Sequence, residues 1–164
     1  MKTVIHSFNY SLDYLVEQLA DVSEAAMTVQ PGGLLNHPSW TIGHLTFVLH
    51  MIGGVVGVRS CLPETFPRLF GPGSTPENDR GSYDSKDEAI RRLRELQFLV
   101  TEAISKVEDD FLDQRFPDEA YLEVFPTIRH ALAQVLIGHT AFHVGQISMW
   151  RRAMGLRPMA RSYE

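Results

Sequence analysis

TIRHALAQVLIGHTAFHVGQISMWRRAM, residues 127–154, is a strongly helical segment that carries the most informative pattern of the chain. Thr127 is predicted to cap its start, and Gly155 to close its end. Within it, His139 and His143 stand four residues apart, which on an α-helix separates them by about 40° around the axis and roughly 6 Å along it. Two imidazoles placed in this way can converge on one point, and a divalent transition metal is the common reason for such spacing.

A third imidazole has to come from elsewhere, and the best candidate is His44 in WTIGHL, residues 40–45. Gly43 precedes His44 and Gly138 precedes His139, both in apolar helical runs where glycine costs about 1 kcal/mol relative to alanine. We expect these glycines to let the two helices approach closely enough to share a ligand. The alternative for the helical pair is a partly buried couple hydrogen-bonded to neighbouring carbonyls, and the spacing leaves both interpretations open.

Apolar residues at three- and four-residue spacing predict an all-α fold with three helices before the one just described. The first is predicted over about residues 4–27, the second from Pro38, and the third from a capping box at residues 85–88. No alternating strand pattern of useful length appears. A four-helix bundle with long inter-helix linkers follows, as a single domain over residues 1–164.

The linker over about residues 61–84 is long for a structureless connection in a compact domain. Its apolar side chains predict that it is ordered by packing against the helices. They are Phe66, Leu69, Phe70 and Tyr83. Its carboxylates Glu64, Glu77 and Asp79 are candidates for a general base, although the sequence cannot place them over a site. A second linker spans residues 109–126.

Composition excludes several classes of protein. The 164 residues include 44% hydrophobic and 21% charged residues, as in an ordinary globular domain. The net charge of −5 argues against a nucleic-acid partner, which needs clustered positive surface. Cys61 is the only cysteine, so no intrachain disulfide forms. Without a long apolar run or a secretory pattern, we expect a cytoplasmic protein with no membrane contact.

The remaining histidines are predicted to be structural or surface residues. His130 lies about 180° around the helix from His139, and His50 lies about 120° from the face of His44. His37 precedes Pro38 at a helix start and is expected to cap it. His6 lies near the beginning of the chain.

The patterns WxxGHL at 40–45, HxxxHxGQ at 139–146 and WRR at 150–152 together resemble the DinB-like (DinB/YfiT-like) superfamily. The resemblance covers nearly the whole chain. It implies a four-helix bundle, commonly homodimeric, whose three histidines hold nickel, zinc or a similar divalent transition metal such as manganese or iron. By position, the implied ligands are His44, His139 and His143. Characterised relatives include S-transferases that use low-molecular-weight bacterial thiols. The residue after the second histidine is often arginine in the family, and Val144 at this position argues against the thiol-transferase assignment.

Three neutral imidazoles would leave a metal its full charge and at least one open position, so that a water or a thiol could be activated there. Metallopeptidases with this histidine spacing place glutamate after the first histidine. Thr140 at that position argues against a peptidase. Gln146, on roughly the face of His143, is expected either to orient a ligand or to make a helix-packing hydrogen bond.

Two functional classes remain open at this point. One is a metal-dependent enzyme, a hydrolase or thiol S-transferase acting on a small-molecule substrate or thiol, with no catalytic residue assigned. The other is a non-catalytic, metal-stabilised bundle that binds a small molecule or a protein. Trp40, Phe142 and Trp150 supply apolar area for a homodimer, and Trp150 is expected to close the pocket or the dimer seam, or to pack in the core.

Overall fold

The computed structural model describes residues 1–159, and the end of the predicted single domain, residues 160–164, lies outside the described residues. Apart from an isolated bridge between Arg115 and Thr127, the regular structure in residues 1–159 is helical, which confirms the all-α prediction. The α-helices are α1 Lys2–Gln18, α2 Pro38–Val55, α3 Phe66–Phe70, α4 Lys86–Ser105, α5 Asp109–Leu112, α6 Ile128–Ala133 and α7 Thr140–Ala153. A π-helical segment, Gln134–His139, joins α6 to α7, and short 3-10 turns cover Glu24–Thr28, Pro31–Gly33, Arg80–Ser82 and Glu119–Tyr121.

The first helix is shorter than its apolar pattern predicts, because it ends at Gln18 and not near residue 27. The buried Arg151 donates a hydrogen bond to the carbonyl oxygen of Gln18. The ammonium of Lys86 donates to the carbonyl oxygens of Leu19 and Val22, at 3.1 and 2.7 Å. These cations satisfy backbone carbonyls that a longer helix would have satisfied with its own N–H groups. The helix therefore ends at Gln18, although the apolar spacing of the sequence continues beyond it.

The second helix begins at Pro38, as predicted, and His37 caps it. The backbone N–H of Trp40 donates to His37 Nδ1 at 3.2 Å, and the Nε2–H of the same ring donates to the carbonyl oxygen of Glu77 at 2.8 Å. Helix α2 is buried on most of its circumference because it packs against α4 on one side and α3 and α7 on others. It therefore holds the residues at positions 39–46 in the interior.

The linker over residues 61–84 is ordered by packing, as expected, and part of it is helical. Phe66, Leu69 and Phe70 on α3 are buried and form a small apolar cluster with Trp40. Since α3 lies against α2, the linker covers the part of α2 that carries His44.

The helix predicted from the capping box is α4, and the predicted last helix begins as α6; both begin directly after their predicted caps. Ser85 Oγ accepts from the N–H of Glu88 at 3.3 Å, and Thr127 Oγ1 accepts from the N–H of His130 at 3.5 Å. The last helix ends before Gly155, whose φ of 71° lies in the left-handed region that glycine adopts without strain.

The last helix departs from regular α geometry over the π-helical segment just before α7. The hydroxyl of Thr140 donates to the carbonyl oxygen of Val135 at 3.1 Å, five residues back. Gly138 makes room for a side chain of its own helix: a Cβ there would lie 2.8 Å from Gln134 Oε1. The atoms nearest to this Cβ therefore belong to the same helix and not to α2, where the close approach was predicted.

The long helices share one apolar core. Helix α1 packs on α7 and on the π-helical segment, while α2 packs on α4. Trp150 is fully buried in this core, and its Nε1–H donates to the carbonyl oxygen of Val29 at 2.8 Å. Of the expectations for Trp150, core packing is the one confirmed. Within the described residues, no helix combines the length and apolar character needed to cross a bilayer.

Candidate metal centre

His44 is fixed on the buried side of α2 by contacts on two sides. Its Nδ1–H donates to the carbonyl oxygen of Phe70 at 2.7 Å. Its ring stacks on the indole of Trp40 with a centroid separation of 4.7 Å and an interplanar angle of 8°. Trp40 is held in turn by its Nε1–H, which donates to Ser74 Oγ at 3.1 Å. The linker thus orients His44 directly through a backbone carbonyl and indirectly through Trp40.

Gly43 allows α3 to reach His44. A Cβ at position 43 would lie 2.1–2.5 Å from ring atoms of Phe70, far inside van der Waals contact. The expectation that this glycine permits close approach is correct, but its predicted partner, the last helix, is wrong. The close neighbour is the side chain of Phe70, the residue whose backbone carbonyl orients the imidazole of His44.

The last helix supplies the other two imidazoles. His139 ends the π-helical segment, and His143 lies one turn later in α7. The Nδ1–H of His143 donates to Gln146 Oε1 at 2.9 Å. The same amide oxygen accepts from Asn36 Nδ2 at 3.1 Å.

Two groups were not predicted from the sequence: Asn36, which contacts His143 only through Gln146, and the Phe70 carbonyl, which orients His44 directly. Asn36 has no motif of its own, and only its position just before the cap of α2 distinguishes it. The carbonyl of Phe70 is a backbone group and has no sequence signature.

The structure brings the three predicted histidines together. His139 Nε2 lies 3.1 Å from His44 Nε2 and 3.2 Å from His143 Nε2. Each ring offers one nitrogen, and all three of these nitrogens lie within 4.8 Å of one another. No other group of three or more histidine, cysteine or acidic side chains with this geometry occurs in residues 1–159.

Burial keeps the imidazoles neutral. Desolvation, reinforced by the neighbouring His44, lowers the pKa of His139 to about 4. Desolvation and the other two rings lower the pKa of His143 to about 3. Burial also lowers the pKa of His44, against the opposing effect of the Phe70 carbonyl. At neutral pH each ring therefore carries a single proton and one free lone pair, which is the state that ligates metals.

The histidines predicted to be structural or on the surface lie outside this cluster. His37 is buried as the cap of α2, and His50 is hydrogen-bonded to Ser60 Oγ at 2.7 Å. His130 is exposed and is hydrogen-bonded to Thr127 Oγ1 at 2.8 Å, and His6 is exposed on α1.

The linker carboxylates have other contacts. The carboxylate of Glu77 accepts from the Ser82 hydroxyl at 2.7 Å and from Arg68 at 3.0 Å, and these hydrogen bonds lower the pKa of Glu77. Asp79 caps a 3-10 turn by accepting from the N–H of Gly81. Glu64 is exposed. Among residues 1–159, none of the three is part of the histidine cluster.

Position 144 faces the interior, away from solvent. Val144 is buried in the main apolar core, and its carbonyl oxygen accepts from Gln18 Nε2 at 3.4 Å. The residue that departs from the pattern of the resembled family therefore contributes packing between α7 and α1.

An all-helical chain whose neutral imidazoles converge from two helices belongs to the class of helical proteins with a candidate three-histidine metal centre. Comparison with protein families identifies the family: the model of the DinB superfamily matches residues 8–147, and the chain belongs to that superfamily. The resemblance stated from the sequence is thereby confirmed. No curated protein matches the chain.

Proposed function

We propose that the chain binds one divalent transition metal ion, such as nickel, zinc, manganese or iron, through the Nε2 atoms of His44, His139 and His143. The observation that carries this proposal is the convergence of three nitrogens at separations of 3.1 and 3.2 Å about His139. Metal–nitrogen bonds of about 2.0–2.1 Å imply nitrogen separations of about 3.3 Å in a tetrahedral site and about 2.9 Å in an octahedral one. The two separations that involve His139 lie between these values, and all three nitrogens lie within 4.8 Å of one another.

The surroundings of the cluster fit the same proposal. A metal-ligating histidine usually donates its second ring N–H to a carbonyl or amide oxygen, which fixes the tautomer and the ring plane. His44 does so to Phe70 and His143 does so to Gln146. Both rings therefore present the lone pair of Nε2 to the cluster before any ion is bound. We propose that Gln146 is a positioning residue for His143, and that the four long helical segments form the four-helix bundle of this superfamily.

We further propose that the chain is a metal-dependent enzyme, either a hydrolase or a thiol S-transferase, with no catalytic side chain assigned. The bound ion would act as a Lewis acid that makes a water or a thiol more acidic. Thr140 occupies the position of the glutamate base of the peptidases, and its hydroxyl is committed to the carbonyl of Val135. This supports a reaction that needs no protein base beside the first histidine.

The burial of the cluster favours a second candidate, a non-catalytic bundle that the ion stabilises. His44 is 9% exposed and His143 is 4% exposed, while His139 is half-buried. The indole of Trp40 stacks on the His44 ring. Little of the surface of the His44 and His143 rings is therefore open to a substrate.

Turnover of small thiols and of hydrolysable esters by protein with measured metal occupancy distinguishes the two candidates. The enzyme proposal expects activity to follow occupancy, to disappear on chelation and to return with nickel, zinc or manganese. A rise in thermal stability on metal binding, without turnover of either substrate class, would support the structural candidate.

We also propose that the chain forms a homodimer through the outer face of α7. Phe142 is 63% exposed and Met149 is 55% exposed, and they lie seven residues apart on the same side of the helix. Gly145 lies between them, and a Cβ there would meet no atom within 4 Å. A face with large apolar side chains on either side of a glycine is suited to close packing against a partner helix.

A further inference from the structure

The Nδ1 atoms of the three histidines, which face away from the cluster, differ in their hydrogen bonding. The Nδ1 atoms of His44 and His143 each have an oxygen acceptor, at 2.7 and 2.9 Å. The Nδ1 atom of His139 is buried and has no hydrogen-bond partner in the part of the chain that the structure describes. The cluster therefore contains two imidazoles that are oriented through Nδ1 and one, His139, whose Nδ1 has no such contact.

This inequality fixes where the protons lie in the metal-free protein. The carbonyl oxygen of Phe70 and the amide oxygen of Gln146 can only accept, so His44 and His143 carry their proton on Nδ1. Their Nε2 lone pairs both face His139 Nε2, at 3.1 and 3.2 Å. A neutral His139 can make a hydrogen bond to these lone pairs only as the Nε2–H tautomer, which donates to Nε2 of either His44 or His143.

Metal ligation through Nε2 demands the other tautomer of His139. The proton has to move from Nε2 to Nδ1, with no change in net charge, and at Nδ1 it meets no acceptor in a buried position. His44 and His143 need no such change. Loss of an outer-shell partner typically weakens metal affinity by about 10–100-fold, so the contribution of His139 is reduced by a factor of this order.

From this geometry, and resting on the proposed metal site, we propose that His139 is the weakly held ligand of the triad, and that in the metal-free protein it is the hydrogen-bond donor that joins the other two imidazoles. His44 and His143 are the preorganised ligands that hold the ion.

Two measurements test the proposal. Nitrogen-15 NMR of the histidine rings should show, without metal, Nδ1–H tautomers for His44 and His143 and the Nε2–H tautomer for His139, and a switch of His139 alone when Zn²⁺ is added. Zn²⁺ affinity, measured by competition with a chromophoric chelator, should fall at least about tenfold less in His139→Gln than in His44→Gln or His143→Gln. Circular dichroism checks that each variant is folded.

The outcomes separate this inference from the proposed function. An Nδ1–H tautomer of His139 in the metal-free protein, or equal losses of affinity in the three variants, would overturn the inference and leave the metal site standing. If the wild-type protein binds no Zn²⁺, Ni²⁺ or Co²⁺, the proposed function fails and the ligand ranking fails with it. The NMR measurement uses the wild-type chain, so it decides even if a variant does not fold.

Discussion

His44 Nε2 and His139 Nε2 lie 3.1 Å apart, although 95 positions separate these residues in the sequence. One imidazole belongs to α2, where the Phe70 carbonyl and the Trp40 indole hold it, and the other belongs to the end of the π-helical segment. Because the meeting point is made by two packed helices and not by a flexible loop, the cluster is expected to be present before an ion binds.

Replacing Gln146 by Leu should weaken metal binding by about 10–100-fold and leave the stoichiometry unchanged at saturating metal. The leucine removes the amide oxygen that accepts from His143 Nδ1, so the ring is no longer held in the ligating tautomer. Isothermal titration calorimetry measures both quantities. The control is Gln114→Leu, at an exposed glutamine outside the cluster, which should bind as the wild type does. Equal affinity of the two variants would exclude a positioning role for Gln146.

Replacing Gly43 by Ala should destabilise the protein by about 1–3 kcal/mol, as overpacking in cores does. The new methyl group would overlap the Phe70 ring, and this outweighs the gain in helix propensity of about 1 kcal/mol. Denaturant unfolding gives the free-energy difference.

The matched control for that substitution is Gly54→Ala in the same helix. A Cβ at position 54 meets nothing within 4 Å, so this variant should be more stable than the wild type by about 0.5–1 kcal/mol. In a Phe70→Ala background, Gly43→Ala should no longer destabilise. If it costs as much there as in the wild type, Phe70 is not the group that requires glycine.

The metal-free protein should lose stability as the pH falls from about 6.5 toward 4. The pKa of His139 is lowered to about 4 and that of His143 to about 3, so the unfolded chain binds more protons than the folded one in this window. The free energy of unfolding therefore rises with pH up to about 6.5 and then levels for these groups. Replacing His143 by Gln should reduce the slope between pH 4.5 and 6.5 by up to about 1.4 kcal/mol per pH unit.

The control for the pH experiment is His130→Gln, at an exposed histidine outside the cluster. Urea unfolding of this variant across the same pH range shows what removing a histidine outside the buried cluster does by itself. If the free energy of unfolding of the wild type rises with pH no more steeply than that of His143→Gln, the buried rings do not resist protonation.

Replacing Met149 by Lys should convert a dimer to a monomer, because a charge on the outer face of α7 would have to be buried in the proposed interface. Light scattering at tens of micromolar protein gives the mass. Met51→Lys is the control, since Met51 is similarly exposed, at 57% against 55%, but lies on α2. A wild-type mass equal to that of one chain would contradict the dimer.

The helical content and the helix starts could be predicted from local signals. The caps at His37, Ser85 and Thr127 are short-range hydrogen bonds between a side chain and an N–H three residues on, so the sequence contains all the information they need. The three histidines could be identified because their spacing and motifs are also local.

The features that were missed depend on contacts between distant parts of the chain. The end of α1 at Gln18 is set by Arg151 and Lys86, which the apolar pattern of α1 cannot reveal. The close partner of Gly43 is Phe70, on a helix too short to be recognised by periodicity. The π-helical segment also escaped prediction, because its apolar spacing resembles that of an α-helix.

The most direct test of the central claim is a metal-binding titration of wild-type protein, His143→Ala and His130→Ala, with circular dichroism on the same samples. The proposed site predicts one ion per wild-type chain and per His130→Ala chain. It predicts loss of stoichiometric binding in His143→Ala with the helical signal retained, because the apolar core, and not the ion, provides most of the stabilisation. Unchanged binding in His143→Ala, or no binding by the wild type, would contradict the assignment of the three histidines as a metal centre.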